Sequence, residues 1–313
     1  MRAIRIGLIG CGHWGERLAR NLAALPSFRL ATVCDLDAGR AAAVAAAHAV
    51  RRPAVDAAAL LRDEALEAVV LATPASSHAE LAAAALDAGL HVLCEKPLAL
   101  SAAAGAELHE RARRAGRVLL TDHTELHSGT FRALADRVAT GRLGEVQSVR
   151  LVHENRGPGP HDVDLLWDLA PHDFAILEAL GAGESTAVEL RDANGGSPDG
   201  PLTLAVRTAA GWDVELRLWR GAAERRRELE VRGTRGALRA RGFAPGEPLL
   251  VLGDGNGGDW SPVSSPDATE PLRRLCETFA ARVRGELPPG GNGAGEVRIL
   301  RAIESAARVW RRS

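Results

Sequence analysis

Ile4-Arg5-Ile6-Gly7-Leu8-Ile9-Gly10-Cys11-Gly12-His13-Trp14-Gly15 decides the fold. Ile4–Ile9 is an apolar run of strand length, and Gly12–Ala24 continues as a helical pattern that ends before Pro26. A Gly10-x-Gly12-x-x-Gly15 spacing sits at the join. Gly10 permits a tight turn, Gly12 lets a pyrophosphate approach the backbone, and Gly15 lets helix and strand pack closely. The helix N-terminus then offers free N–H groups and partial positive charge to phosphates. A glycine turn without a ligand is the bland alternative. Its place at the first strand-to-helix turn favours a dinucleotide.

Phe28–Cys34 is the next strand, and Asp35 ends it, 20 residues beyond Gly15. A carboxylate there accepts both ribose hydroxyls of an adenosine and repels a 2′-phosphate. Helix N-capping is its other use, and Asp37 competes for that. NAD is therefore favoured over NADP, with Arg40 keeping NADP open. Ala68–Ala72, His91–Cys94 and Arg117–Thr121 read as further strands, with helices over Ser76–Ala88 and Ala102–Ala115. Strands separated by helices mean βαβ units and a parallel sheet.

After Thr121 the pattern changes. Helices are expected over Gly129–Thr140 and Val163–Leu180, then strands of period-two alternation. Leu202, Leu204 and Val206 share one face, as do Val214, Leu216 and Leu218, then Leu229 and Val231. Pro245–Pro271 is rich in Gly, Pro and Ser and reads as a loop, and helices over Pro271–Gly285 and Gly295–Arg312 close the chain. The expected fold is α/β. A Rossmann dinucleotide-binding domain spans 1–121, and an α+β domain with an open, mostly antiparallel sheet spans 122–313.

With 313 residues, 46% hydrophobic and a net charge of −1, the chain is an ordinary globular one with nothing to steer it toward nucleic acid. No stretch reaches the ~18 apolar residues that a membrane span needs. Four scattered cysteines suit a reducing cytoplasm. His123 and His127 stand four apart, but no third ligand follows at a metal-binding spacing, and His153 and His161 do not supply one, so no metal is expected. The Arg225-Arg226-Arg227 run reads as a solvated strand edge. Trp219 falls on the face opposite Leu216 and Leu218, beside Glu215 and Arg217. A large aromatic there points to a homodimer or homotetramer packed through this sheet.

Three further places carry candidate chemistry. Ala72-Thr73-Pro74 follows a strand, with His78 a turn later, and loops at parallel strand ends line a cofactor crevice. His78 reads equally as a residue packed under that loop. Glu95-Lys96-Pro97 leaves the strand His91–Cys94, where a lysine near the cofactor can share a proton; a surface lysine before a turn proline is the alternative. Asp168 and His172 stand four apart on one helix face, with Pro171 beside them. Histidine is the usual acid–base group near neutral pH, and a carboxylate can fix its tautomer or bind a hydroxyl. Spacing alone also allows a plain surface pair.

Gly-Leu-Ile-Gly-Cys-Gly-His-Trp-Gly (7–15), Ala-Thr-Pro (72–74), Cys-Glu-Lys-Pro-Leu (94–98) and Trp-Asp-Leu-Ala-Pro-His-Asp (167–173) together resemble the Gfo/Idh/MocA family, that of glucose–fructose oxidoreductase and inositol dehydrogenase, over nearly the whole chain. The stretch from Arg156-Gly157-Pro158 to His172 looks most like members acting on nucleotide-linked or amino sugars. The resemblance implies a nicotinamide-dependent oxidoreductase with Lys96 and His172 as catalytic pair and Asp168 beside them. It places Gly10, Gly12, His13, Trp14, Gly15, Asp35, Thr73, Pro74, His78, Glu95 and Lys96 against the cofactor. His123 and Arg156 join Lys96, Asp168 and His172 on the substrate side. His127-Ser128-Gly129 stands where relatives often carry a Tyr and an Asn or Arg. A glycosidase or lyase using transient oxidation by held NAD, and a non-catalytic NAD sensor, are the competing readings.

Overall fold

The computed structural model describes residues 2–51, 53–157, 159, 162–193, 200–252, 259–263, 267–288 and 293–312. Pro158 and His161 lie outside the described residues. The chain forms two compact units. One holds the residues up to Asp122 together with Leu272–Val297; the other holds His123–Pro271 and the residues from Arg298 onward.

In the first unit the strands β1 (Ile4–Ile9), β2 (Phe28–Cys34), β3 (Pro53–Ala54), β4 (Ala68–Leu71), β5 (His91–Cys94) and β6 (Leu119–Thr121) make one sheet in the order β3-β2-β1-β4-β5-β6. Every neighbouring pair is parallel. The chain reverses its direction of travel across the sheet between β1 and β4, and the crevice outside the strand ends at such a reversal is where doubly wound folds seat a nucleotide. The helices are α1 (His13–Ala24), α2 (Ala38–Ala47), α3 (Ala57–Leu61), α4 (His78–Asp87) and α5 (Ala102–Ala115). Asp37 caps α2 by accepting from the Gly39 and Arg40 N–H groups, which leaves Asp35 free of that duty.

The sequence reading placed everything after Thr121 in the second domain. One segment departs from it. Leu272, Leu275, Cys276, Phe279 and Ala280 are buried in one cluster with Ile4, Leu18, Leu22 and Phe28. The Phe279 ring stacks on Phe28, centroids 6.4 Å apart. An amphipathic helix goes where its apolar stripe finds a core, and sequence order does not say which core that is.

The second unit begins with α6 (Gly129–Ala139) and holds β7 (Val146–Asn155), α7 (Leu165–Leu180), β8 (Ser185–Ala193), β9 (Leu202–Thr208), β10 (Asp213–Arg220), β11 (Arg226–Gly233), β12 (Gly236–Ala240), β13 (Leu249–Leu252) and β14 (Ser261–Val263). The sheet order is β14-β13-β12-β11-β7-β10-β9-β8. All pairs are antiparallel except β7 with β10. Leu204, Val206, Leu216, Leu218, Leu229 and Val231 line the buried face, against which α7 packs. The stretch read as a loop over Pro245–Pro271 therefore contains two short strands, β13 and β14. They are too brief to show alternation, and Pro262 sits in the edge strand, where a sheet tolerates proline. α8 (Pro271–Val283) and α9 (Ala294–Trp310) complete the helices. Among the described residues no helix is long and apolar enough to cross a membrane.

Candidate functional site

The first unit's cradle is built by contact limits on the glycines. Gly10 has φ +97°, and a Cβ there would run into the Ala72 carbonyl; a Cβ on Gly15 would strike the Gly10 carbonyl. Side chains at either position would push β1, α1 and β4 apart. Gly12 differs: a Cβ there meets nothing, so the space beside its backbone is open to a ligand. Gly12 is also the N-cap of α1 without a side chain to cap it. His13 opens the helix. Trp14 is 36% exposed, lies edge-on to His13 and has the Arg17 guanidinium 5.0 Å from its ring centre.

Asp35 leaves β2 with both oxygens turned to backbone. Oδ2 accepts the Cys11 N–H at 2.7 Å and Oδ1 the Asp37 N–H at 2.9 Å. The carboxylate is thus tied to the glycine turn. Cys11 is fully covered, and burial, then the Asp35 charge, pushes its thiol up to about 12, so it stays protonated.

The turns after β4 and β5 are joined by one histidine. His78 is buried, with Nδ1 2.7 Å from the Pro97 carbonyl and Nε2 2.8 Å from the Thr73 carbonyl. The Ser77 hydroxyl donates to Thr73 Oγ1 or the Pro74 carbonyl, both at 2.7 Å. Lys96 is half-buried and precedes a cis peptide to Pro97. The Glu95 carboxyl beneath it accepts the Lys96 N–H at 3.2 Å. Burial, then the neighbouring Asp122 carboxyl, lifts Glu95 well above the usual carboxylate range against the pull of Lys96. A protonated acid can then donate a hydrogen bond.

In the second unit α7 carries both residues of the Asp-x-x-x-His pair. Asp164 caps it by accepting from the Leu166 and Trp167 N–H groups at 3.1 Å, and Gly181 ends it with φ +90°. Pro171 lies inside the helix and cannot donate to the preceding turn. Asp168 is buried and has the Arg220 guanidinium at 3.6 Å, while Arg220 also donates to the Val163 carbonyl at 3.3 Å. His172 is half-buried, its ring edge-on to that of His153 with centroids 5.5 Å apart. His123 is buried at the start of the turn Thr124–His127, and Arg156 is exposed.

One expectation is corrected here. Arg225 and Arg226 are exposed, but Arg227 is 7% exposed and lies inside. It shares the face of Leu229 and Val231, and strand parity alone turns it inward. Its guanidinium bonds Glu125, Nε to Oε1 at 3.0 Å, and Asp173, with the Phe243 ring 5.5 Å away. Asp173, next to His172, also receives His153 Nδ1 at 3.2 Å. Burial would raise the Asp173 carboxyl, but Arg227 and His153 hold it below the usual range. Sequence reasoning missed these partners as a set; the period-two register was the signal for Arg227.

Comparisons with known proteins bear on the whole chain. Residues 4–123 match the model of the oxidoreductase family with NAD-binding Rossmann fold, and residues 131–239 match the GFO/IDH/MocA C-terminal domain. The uncharacterized oxidoreductase YdgJ of Escherichia coli (strain K12) is 30% identical over 80% of this chain and 75% of its own length. Inositol 2-dehydrogenase of Rhizobium meliloti (strain 1021) is 27% identical over 92% of each. Among solved structures, UDP-N-acetylglucosamine 3-dehydrogenase GnnA from Acidithiobacillus ferrooxidans has TM-score 0.85 and 25% identity, covering 99% of this chain and 98% of that one.

Proposed function

This chain belongs to the GFO/IDH/MocA oxidoreductase family, and on that premise we propose that it moves a hydride between NAD(H) and a secondary alcohol or ketone of a sugar, a nucleotide-linked sugar or a cyclitol. The observation that carries the reading is the turn of α7 holding Asp168 and His172 on one face, each in contact with a second polar side chain, Arg220 or His153. The inositol and UDP-N-acetylglucosamine dehydrogenases named above support the substrate class.

Bound NAD supplies the hydride acceptor. The open backbone at Gly12, the first turn of α1 with His13 and Trp14, and the Thr73-Pro74 turn would hold its phosphates and nicotinamide half, and the remaining lone pairs of Asp35 would accept the adenosine ribose hydroxyls. In alcohol oxidation His172 takes the hydroxyl proton as the carbon loses hydride; in ketone reduction it returns that proton. Lys96 polarises the oxygen or relays the proton. Its turn is held by His78 and Glu95. Asp168 orients the substrate or the imidazole, and His123 and Arg156 contact the substrate.

A panel of nucleotide sugars, inositols and free sugars, offered with NAD⁺ or, as ketones, with NADH and followed by nicotinamide absorbance, tests this. Net conversion of free cofactor with one class is expected. Glycoside cleavage or elimination with no net change in free NAD would replace the reading.

The half-buried Trp219 beside Glu215 and Arg217 on the outer sheet face supports a homodimer or homotetramer through that face. Light scattering that finds only monomer at micromolar concentration would remove it. Four buried cysteines, none in a disulfide, suit work in a reducing cytoplasm.

A further inference from the structure

A buried polar chain stands behind His172, and nothing in the hydride-transfer scheme uses it. Arg227 and His153 are directly opposite each other in the β11–β7 ladder. Both point to the buried face, and both end on the carboxylate of Asp173: Arg227 Nη1 on Oδ1, His153 Nδ1 on Oδ2. Glu125 holds the far side of the guanidinium. Asp173 is wholly buried and directly follows His172 on α7.

An ionised carboxylate only accepts hydrogen bonds, so His153 must carry its proton on Nδ1 where it meets Asp173. The imidazole's tautomer and ring plane are thereby fixed, and the His172 ring makes a T-shaped contact with that ring. Two donors on the two oxygens of one carboxylate, from two adjacent strands, resist both rotation and sliding of the helical turn. Pro171 makes such a hold useful, because it cannot donate the usual backbone bond just ahead of His172. Buried ion pairs seldom add net stability over apolar packing of the same volume, so a geometric role accounts for this one better than a stabilising one.

We propose that His153 and Arg227 are positioning residues that clamp the two oxygens of Asp173 and so fix the turn of α7 carrying His172. The proposal rests on the reading of His172 as the acid–base group.

The test compares two replacements of His153 in the full chain. His153→Phe keeps an aromatic ring beside His172 but cannot donate to Asp173. His153→Asn loses the ring but places an amide N–H near the position of Nδ1. With substrate found by the panel above, His153→Phe should lower kcat by about 10–100-fold, the cost of a small misplacement of a reacting group, with KM and NADH affinity nearly unchanged. His153→Asn should recover most of that loss. The His172 ring resonances, assigned by their absence in His172→Ala, should shift in the Phe variant and return toward wild type in the Asn variant. Asp173→Asn, of the same shape, should shift the same resonances and lower kcat to a similar degree; it is the second arm if His153→Phe does not fold.

Unmoved His172 resonances in the folded Phe or Asp173→Asn variant would overturn the clamp. An Asn variant as slow as the Phe variant would overturn it too. If the resonances move as expected while His172→Ala transfers hydride at the normal single-turnover rate, the clamp stands and the acid–base reading falls.

Discussion

The Cys11 N–H donates to Asp35 Oδ2 at 2.7 Å, so the carboxylate at the end of β2 is fastened to the glycine turn rather than free to swing. A fixed negative charge at that place repels a 2′-phosphate and cannot move aside for it. NADH is expected to bind more tightly than NADPH. In Asp35→Ser the preference should narrow by at least about tenfold, or ~1.4 kcal/mol. Fluorescence titration with both dinucleotides checks this, and equal or tighter NADPH binding by the wild type would overturn the assignment.

Gly12 and Gly15 should separate binding from folding. Gly12→Ala adds a methyl into open space, so the melting temperature should stay close to wild type while NADH binding weakens. Gly15→Ala drives a methyl into the Gly10 carbonyl and should cost ~1–3 kcal/mol or more of stability, the usual penalty of overpacking. Thermal melts and NADH titrations of the two variants distinguish them. A Gly15→Ala protein as stable as wild type would mean that α1 can shift without penalty.

His172→Ala should lower turnover by roughly 10²–10⁴-fold, the worth of a positioned general acid or base. NADH affinity should hardly change. Single-turnover hydride transfer at saturating cofactor is the measurement, and a near-normal rate would send the proton by another route.

His91 should make the first unit sensitive to acid. Its Nδ1 accepts the Val118 N–H at 2.9 Å, and burial, then Arg117, draws its pKa down to about 4 against an opposing pull from Glu67. Between that value and an unfolded value near 6.5 the unfolded chain binds the proton and the folded chain does not. The contribution is therefore complete above pH ~6.5 and lost as pH falls toward 4. Allowing for its partial exposure, it is on the order of 1 kcal/mol. Urea unfolding at pH 7.5 and pH 5 should show a loss that is smaller in His91→Gln. An identical loss in both proteins would assign the acid sensitivity elsewhere.

The parts legible in the sequence were those set by local rules. β1, β2, β5 and α5 have the ends the pattern gave, because the strands are short apolar runs that stop at polar residues or glycine, and α5 lies between its cap Ser101 and Gly116. α2 was not anticipated, since an alanine run has no stripe. β7 was not either: its inward positions include His153, and a buried polar residue breaks the apolar alternation. The same limit governs the site. Gly10 and Asp35 are singled out by spacing along the chain, and Lys96 and His172 by their likeness to family motifs. Their supports are not, because the Arg227–Asp173 bond joins residues 54 apart and the Arg227–Glu125 bond residues 102 apart.

The burial of Phe279 against Phe28 also sets an order of events on the ribosome. The nucleotide-binding unit is contiguous up to Asp122, yet its core is finished only when Leu272, Leu275, Cys276 and Phe279 have been made. At ordinary translation rates of about 5–20 residues per second, roughly 160 residues of delay is on the order of 10–30 s. During that interval Leu18, Leu22 and Phe28 lack their final cover, while the sheet of the second unit is being synthesised. Nascent chains arrested near residue 260 should thus be far more protease-sensitive in their first 122 residues than chains arrested after release of Val283.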